Sequence, residues 1–125
     1  EVVFVLVVIT VVLTGLVVSA VFSQKVVRSA QDRSEAIKLA EKRIENLRSM
    51  ENENHDQFWS DAVAAHLNGT ALADSFSSPK FSRETLVPAI EGSAPNRRAE
   101  IEVTVFWYDG DDERSVTLQS YISEY

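Results

Sequence analysis

Residues 1–22 read EVVFVLVVITVVLTGLVVSAVF, a single carboxylate followed by a run in which only Thr10, Thr14, Gly15 and Ser19 are not hydrophobic. At roughly 1.5 Å of rise per residue, a helix over Val2 to Phe22 matches a hydrocarbon layer of about 30 Å, so the stretch reads as a bilayer-spanning helix. A secretory signal peptide would carry a basic head, a shorter apolar core and a small-residue cleavage site. Here Glu1 stands where the basic head would be, the run is longer, and a charged helical pattern continues beyond it. The segment is therefore expected to stay in the mature protein.

Outward from this stretch the composition changes abruptly. The first 24 residues hold one charge and the remaining 101 hold all the others. A chain of 125 residues has room for one small domain plus an extended element. The net charge of −7 argues against a general nucleic-acid surface, because phosphate binding relies on clustered Lys and Arg, and Arg97-Arg98 is too small a patch. With no cysteine there is neither a disulfide nor a thiolate metal site.

From Lys25 the pattern becomes helical. Val26, Ala30, Ile37, Ala40, Ile44 and Leu47 recur mostly at three- and four-residue steps with charged residues between them, which predicts one apolar stripe on a helix. No proline or glycine interrupts Leu16 to Met50. The simplest reading is one continuous rod of about 50 residues, on the order of 75 Å long, too long to be covered by any domain this chain can build. Residues 1–24 are expected to be its membrane or filament-core half, residues 25–52 its amphipathic continuation, and residues 53–125 a small head. Gly15 is the weak point of the apolar half, either a tolerated small residue or a place for close helix contact. Thr14 beside it can bond back to a carbonyl one turn earlier.

The polar ENENHD at residues 51–56 is expected to end the rod. DQFWSDAVAAHLNG then predicts a short second helix with Asp56 as N-cap, Asn68-Gly69 as stop, and Phe58, Trp59, Val63 and Leu67 on its inner side. Residues 70–98 contain all three prolines and several serines, and read as an irregular connection with one short extended piece near Thr85–Val87. AEIEVTVFWY and SVTLQSYI alternate, and the DGDDER between them supplies turn chemistry, so the chain ends in an antiparallel hairpin. Its inner face carries Val103, Val105 and Trp107 on one strand and Val116 and Leu118 on the other. With Ile37, Ala40, Ile44, Leu47 and Trp59 these are the expected head-packing residues. The fold class is α+β: a long N-terminal helix, one short helix and a hairpin or small sheet.

Little here suggests catalysis. His55 and His66 lack a third ligand at metal spacing and read as surface histidines. Asp109, Asp111 and Asp112 are weak calcium candidates in a stretch that lacks the full calcium-loop pattern and that a hairpin turn needs. Asn68-Gly69-Thr70 fits a short glycosylation sequon. No catalytic residue, cofactor or metal is expected, and the chain does not read as an enzyme.

A bilayer-length apolar helix that starts at a glutamate, runs into an amphipathic helix and leads to a small α+β head resembles the type IV pilins and the pseudopilins of type II secretion. EVVFVLVVITVVLTGLVVSAVF is similar to the start of the mature pilin helix. SQKVVRSAQDRSEAIKLAEKRIENLRS and the terminal IEVTVFWYDG with RSVTLQSYIS resemble the minor-pilin and pseudopilin branch. The chain departs from the family in having Val17, Val18 and Ser19 where many pilins place a proline, and in lacking the frequent C-terminal cysteine pair. The resemblance implies a homo-oligomeric helical filament, with Glu1 paired to the N-terminal ammonium of a neighbouring subunit. Val2, Phe4, Leu6, Ile9, Leu13, Gly15 and Leu16 would then be assembly residues. It also implies an inner-membrane stage before assembly, a prepilin peptidase, an assembly platform, a final place on the cell surface, and a few residues and a basic leader ahead of Glu1. Lys25 and Arg28, just beyond the span, would by the positive-inside rule point that end to the cytoplasm unless such a leader outweighs them. The rival from another class is a single-pass membrane protein whose amphipathic helix forms a dimeric coiled coil.

Overall fold

A computed structural model describes residues 1–124. Helix α1 (Val2–Glu53) is followed by α2 (His55–Asn68) and by strands β1 (Phe81–Glu91), β2 (Arg98–Asp109) and β3 (Asp112–Ser123). The three strands form one antiparallel sheet in the order β1-β2-β3. The fold class is α+β. By contacts the chain divides into two units, Glu1–Arg33 and Ser34–Tyr125, with α1 contributing to both.

Within the second unit the core begins on α1. Ala36, Ala40, Ile44 and Leu47 follow one another at steps of four, four and three residues, which keeps them on one helix face, and all are buried. Ile37, expected on this stripe, is only half-buried and lies outside the core cluster; Ala36 takes its place.

Only Asn54 separates α1 from α2. Asn54, not Asp56, is the N-cap of α2, and it makes no side-chain cap bond. Asp56 lies in the first turn, where a carboxylate favours the helix dipole. Gly69, in the left-handed region, closes the helix as expected, and the Thr70 N–H returns to the Ala65 carbonyl at 3.0 Å. The inner face corrects the expectation: Phe58, Trp59, Ala62 and Ala65 are buried, Val63 is half-buried and Leu67 is 77% exposed. The Phe58 and Trp59 rings meet edge-on at 5.3 Å and set which side turns inward. Leu67 lies nine residues from Phe58, about 180° away at 100° per residue.

The larger correction is β1. A stretch that reads as mostly irregular forms an 11-residue strand paired along β2. Proline inside the strand is the misleading signal. The register shifts between Leu86 and Ala89, where β1 advances three residues (86 to 89) against two of β2 (102 to 100), and Pro88 lies in that bulge on an edge strand. Its missing N–H therefore costs no ladder bond. β2 and β3 pair without a break from Arg98↔Ser123 to Asp109↔Asp112. Their turn has two central residues, Gly110 and Asp111, and only Gly110 has positive φ, +66°, the pattern that suits glycine first in a tight hairpin. The inner sheet face buries Thr85 and Val87 from β1, Ile101, Val103, Val105 and Trp107 from β2, and Ile122 from β3. Val116 and Leu118 pack half-buried against them.

Two ionic clusters tie these layers together, and neither is evident from hydrophobic periodicity. Arg43, on the charged side of the expected stripe, is 6% exposed. Its Nε donates to Thr85 Oγ1 at 3.1 Å and its Nη2 to the Ala73 carbonyl at 2.9 Å. Arg83 grips Asp74 with two bonds, Nε to Oδ2 at 2.7 Å and Nη2 to Oδ1 at 2.8 Å, and donates to the Leu39 carbonyl of α1 at 3.2 Å. Asp74 also lies 3.6 Å from Arg43. The Arg83 hydrogen bonds hold the Asp74 carboxyl below its ordinary pKa against the opposing effect of burial, and burial lowers that of Arg43. In the second cluster Arg97 grips Glu124, Nε to Oε2 at 2.6 Å and Nη2 to Oε1 at 2.8 Å, while the Glu124 N–H donates to the Arg97 carbonyl at 2.7 Å. Arg97 stacks 4.8 Å over the Trp59 ring.

Asp74→Asn keeps the shape but leaves two buried guanidiniums without a counter-charge. It is expected to destabilise the head by about 3 kcal/mol or more, read as a lowered denaturation midpoint by near-UV circular dichroism in detergent. Glu124 titrates at about 2, against 4.5 ordinarily, chiefly because of the Arg97 side-chain bonds. A depressed carboxylate stabilises above its unfolded pKa and stops doing so as pH falls through the folded one. Stability is thus expected to decline between pH 4.5 and about 2, with a shallower decline in Glu124→Gln, measured by acid titration of tryptophan fluorescence.

Candidate functional site

The unit Glu1–Arg33 is helical from Val2 onward, and its first bond runs from the Val5 N–H to the Glu1 carbonyl at 3.1 Å. Its large apolar side chains are uncovered. Between Val2 and Phe22 their exposure runs from 45% at Val8 to 75% at Val2, whereas the residues of the head core are at 9% or below. Burying a large aliphatic side chain is worth about 1.5 kcal/mol or more, so covering this surface releases on the order of 20 kcal/mol. That is the dominant unspent interaction in the chain. The helix is long and apolar enough to cross a membrane.

Two of the polar side chains in this run bond to the backbone itself. Thr10 Oγ1 donates to the Leu6 carbonyl and Thr14 Oγ1 to the Thr10 carbonyl, each at 2.8 Å. These hydroxyls thus need no water. A Cβ built at Gly15 meets nothing within 4 Å, so the site faces open space. At 100° per residue, Val2, Leu6, Ile9, Leu13 and Leu16 fall within about 80° of arc, while Phe4 and Gly15 lie on the opposite side. The seven expected assembly positions thus make two faces, one a branched aliphatic ridge and one with a gap between larger neighbours. Glu1 is exposed at the head of the helix, and the next charges, Lys25 and Arg28, are exposed past its apolar end.

The remaining candidates fall elsewhere. Asp109, Asp111 and Asp112 stand exposed at the β2–β3 turn, and Asp112 Oδ2 lies 4.0 Å from Arg114 Nη2. Among the described residues no group of three or more His, Cys, Asp or Glu side chains is arranged to hold a metal ion. The two histidines are not idle surface residues. His66 Nδ1 pairs with the Val87 carbonyl at 2.9 Å, and His55 bridges Glu51 and Glu124. The i,i+4 spacing of Glu51, His55 and Trp59 is the local signal for the latter. Asn68 and Thr70 of the sequon are exposed at the end of α2.

Comparison of the chain with protein-family models, with curated proteins and with solved structures finds no match.

A charge at the centre of the ridge tests its need for an apolar solvent. Leu13→Lys is expected to raise the insertion cost by about 3 kcal/mol. The protein should shift from the carbonate-resistant membrane fraction toward the soluble or aggregated one, with Leu13→Ile unaffected.

Proposed function

We propose that this chain is a structural subunit of a type IV pilus-like helical filament, built by lateral packing of the apolar helices of many copies. The observation that carries the reading is the uncovered run from Val2 to Phe22, headed by one carboxylate and continuous with a helix that enters its own head core. Such a surface has two ways to leave water, a bilayer and copies of itself, and a filament subunit uses them in turn. Glu1 would set the axial register. An unpaired carboxylate in a medium of low dielectric is costly, and the same medium lets a neighbouring ammonium attract it over distance. The order of elements and the resemblance of residues 1–50 to the pilin helix support the same assignment. The implied partners are a second copy of the chain, the inner membrane, a prepilin peptidase and an assembly platform, and the implied destination is the cell surface. Minor pilin and secretion pseudopilin are variants of the same reading.

One observation weighs against the coiled-coil rival. Of the stripe a dimeric coiled coil would need, Ala40, Ile44 and Leu47 are already buried within the head, Ile37 is half-buried, and Val26 and Ala30 are exposed. The larger apolar surface left for other copies on α1 is that of residues 2–22, with Val26 and Val27 also exposed beyond it.

Two measurements test the proposal. Glu1→Ala is expected to leave the head folded and the protein in the membrane while filament yield falls at least tenfold by electron microscopy of sheared material; an unchanged yield removes the charge-register mechanism. Because the chain has no cysteine, single substitutions report contacts cleanly. Leu6→Cys and Leu13→Cys, each labelled with a benzophenone maleimide, should give photo-cross-linked dimers in assembled material, and Leu67→Cys with the same label, on the exposed side of α2, should serve as a comparison. Absence of cross-links at both helix positions removes lateral helix packing.

A further inference from the structure

Three elements meet where α1 ends, α2 begins and β3 ends. His55 lies between them: its Nδ1 is 2.8 Å from Glu51 Oε1 on α1, and its Nε2 is 3.0 Å from Glu124 Oε1 just past β3. Both partners are acceptors. Glu124 is kept ionised by Arg97, which contacts both of its oxygens, and Glu51 Oε1 also receives the Trp59 indole N–H at 3.4 Å. A neutral imidazole carries one N–H, so in either tautomer one of these contacts would set a ring lone pair against a carboxylate oxygen. Only the imidazolium satisfies both.

We propose that His55 is a proton-gated latch: as the imidazolium it joins Glu51 of α1 to Glu124, and loss of its proton releases the end of β3 from the α1–α2 corner. The charged groups around it are Glu51 from α1, Glu124 beyond β3 and Arg97 from the β1–β2 connection. A nearby tie, Arg48 Nη2 to Ser120 Oγ at 2.9 Å, does not involve His55. Release at Glu124 also loosens its backbone bond to the Arg97 carbonyl, while the β2–β3 pairing from Arg98↔Ser123 inward keeps the sheet intact. An open cleft bordered by Arg48, Glu51, Tyr121 and Ile122 runs along the joint, and release widens it.

The direction of titration agrees with the geometry. The hydrogen bond to Glu51 is the largest influence raising the His55 pKa, burial opposes it, and Glu124 adds to it. A raised histidine stabilises fully below its unfolded pKa of 6.5 and stops doing so as pH rises through the folded value. In the folded chain Glu124 stays ionised down to about pH 2. The latch is therefore closed on the acid side, from pH 6.5 down toward the Glu124 value of about 2, and opens on the alkaline side. The inference is independent of the filament reading.

The test uses the full chain, labelled with ¹⁵N, in detergent micelles. The ring nitrogens of His55 are expected to be both protonated near pH 6.5 and to titrate above that value. Exchange of the Glu124 amide, corrected for intrinsic base catalysis, should accelerate about tenfold for each unit by which the His55 pKa exceeds its reference. His55→Gln, which offers one donor face and one acceptor face, should show the fast rate at every pH. Glu51→Gln should return the His55 pKa toward its ordinary value. A single neutral tautomer near pH 6.5 with titration below that value overturns the latch, as does an identical exchange profile in wild type and His55→Gln. Should His55→Gln fail to fold, the wild-type ring titration and Glu51→Gln decide the matter.

Discussion

The head depends on one carboxylate. Asp74 lies in the segment between α2 and β1, and through Arg83 and Arg43 it gathers the second half of α1, that segment and the first strand around a single buried charge. Arg83 reaches the Leu39 carbonyl and Arg43 reaches Thr85, so helix and strand are each held by the other's guanidinium. Two buried cations with one anion would be unfavourable alone. Backbone carbonyls and the Thr85 hydroxyl complete their hydrogen bonding, and among the described residues no buried side-chain nitrogen or oxygen lacks a partner. This cluster orients the apolar stripe of α1 toward the sheet.

Helix α1 meets two physical situations in one unbroken run of backbone hydrogen bonds. From Ser34 onward one apolar face, Ala36, Ala40, Ile44 and Leu47, is buried in the head core. From Val2 to Phe22 the apolar residues point in all directions and are uncovered. A helix apolar on every side cannot be amphipathic toward a head, so it calls for a solvent or a partner that is apolar on every side. The proposal of lateral packing follows from that contrast, and Glu1 gains its importance from standing where such packing would remove water.

Much of this was legible along the chain. Solid apolar composition announced α1, strict alternation announced β2 and β3, and Asp-Gly-Asp-Asp announced their turn. The illegible parts share a cause. β1 was hidden because Pro88 signals irregular chain, and only pairing with β2 shows that the proline lies in a bulge where no bond is lost. The inner side of α2 was misjudged because Val63 and Leu67 are more hydrophobic than Ala62 and Ala65, yet the Phe58 and Trp59 rings decide the orientation. Arg43 and His55 looked like solvated residues because their partners lie 31 and 69 positions away.

By itself, then, the sequence determined what local periodicity can encode: the apolar helix, its amphipathic continuation, the terminal hairpin and the single charge at the head of the greasy run. Tertiary structure alone decided which alanine rather than isoleucine faces the core, that a proline-bearing segment becomes a strand, and that Asp74 and Glu124 become the hubs of buried ion pairs. The reason is range. Hydrophobic period is carried by neighbours a few residues apart, whereas the partners of a buried charge are chosen by which distant segments the core brings within hydrogen-bond reach.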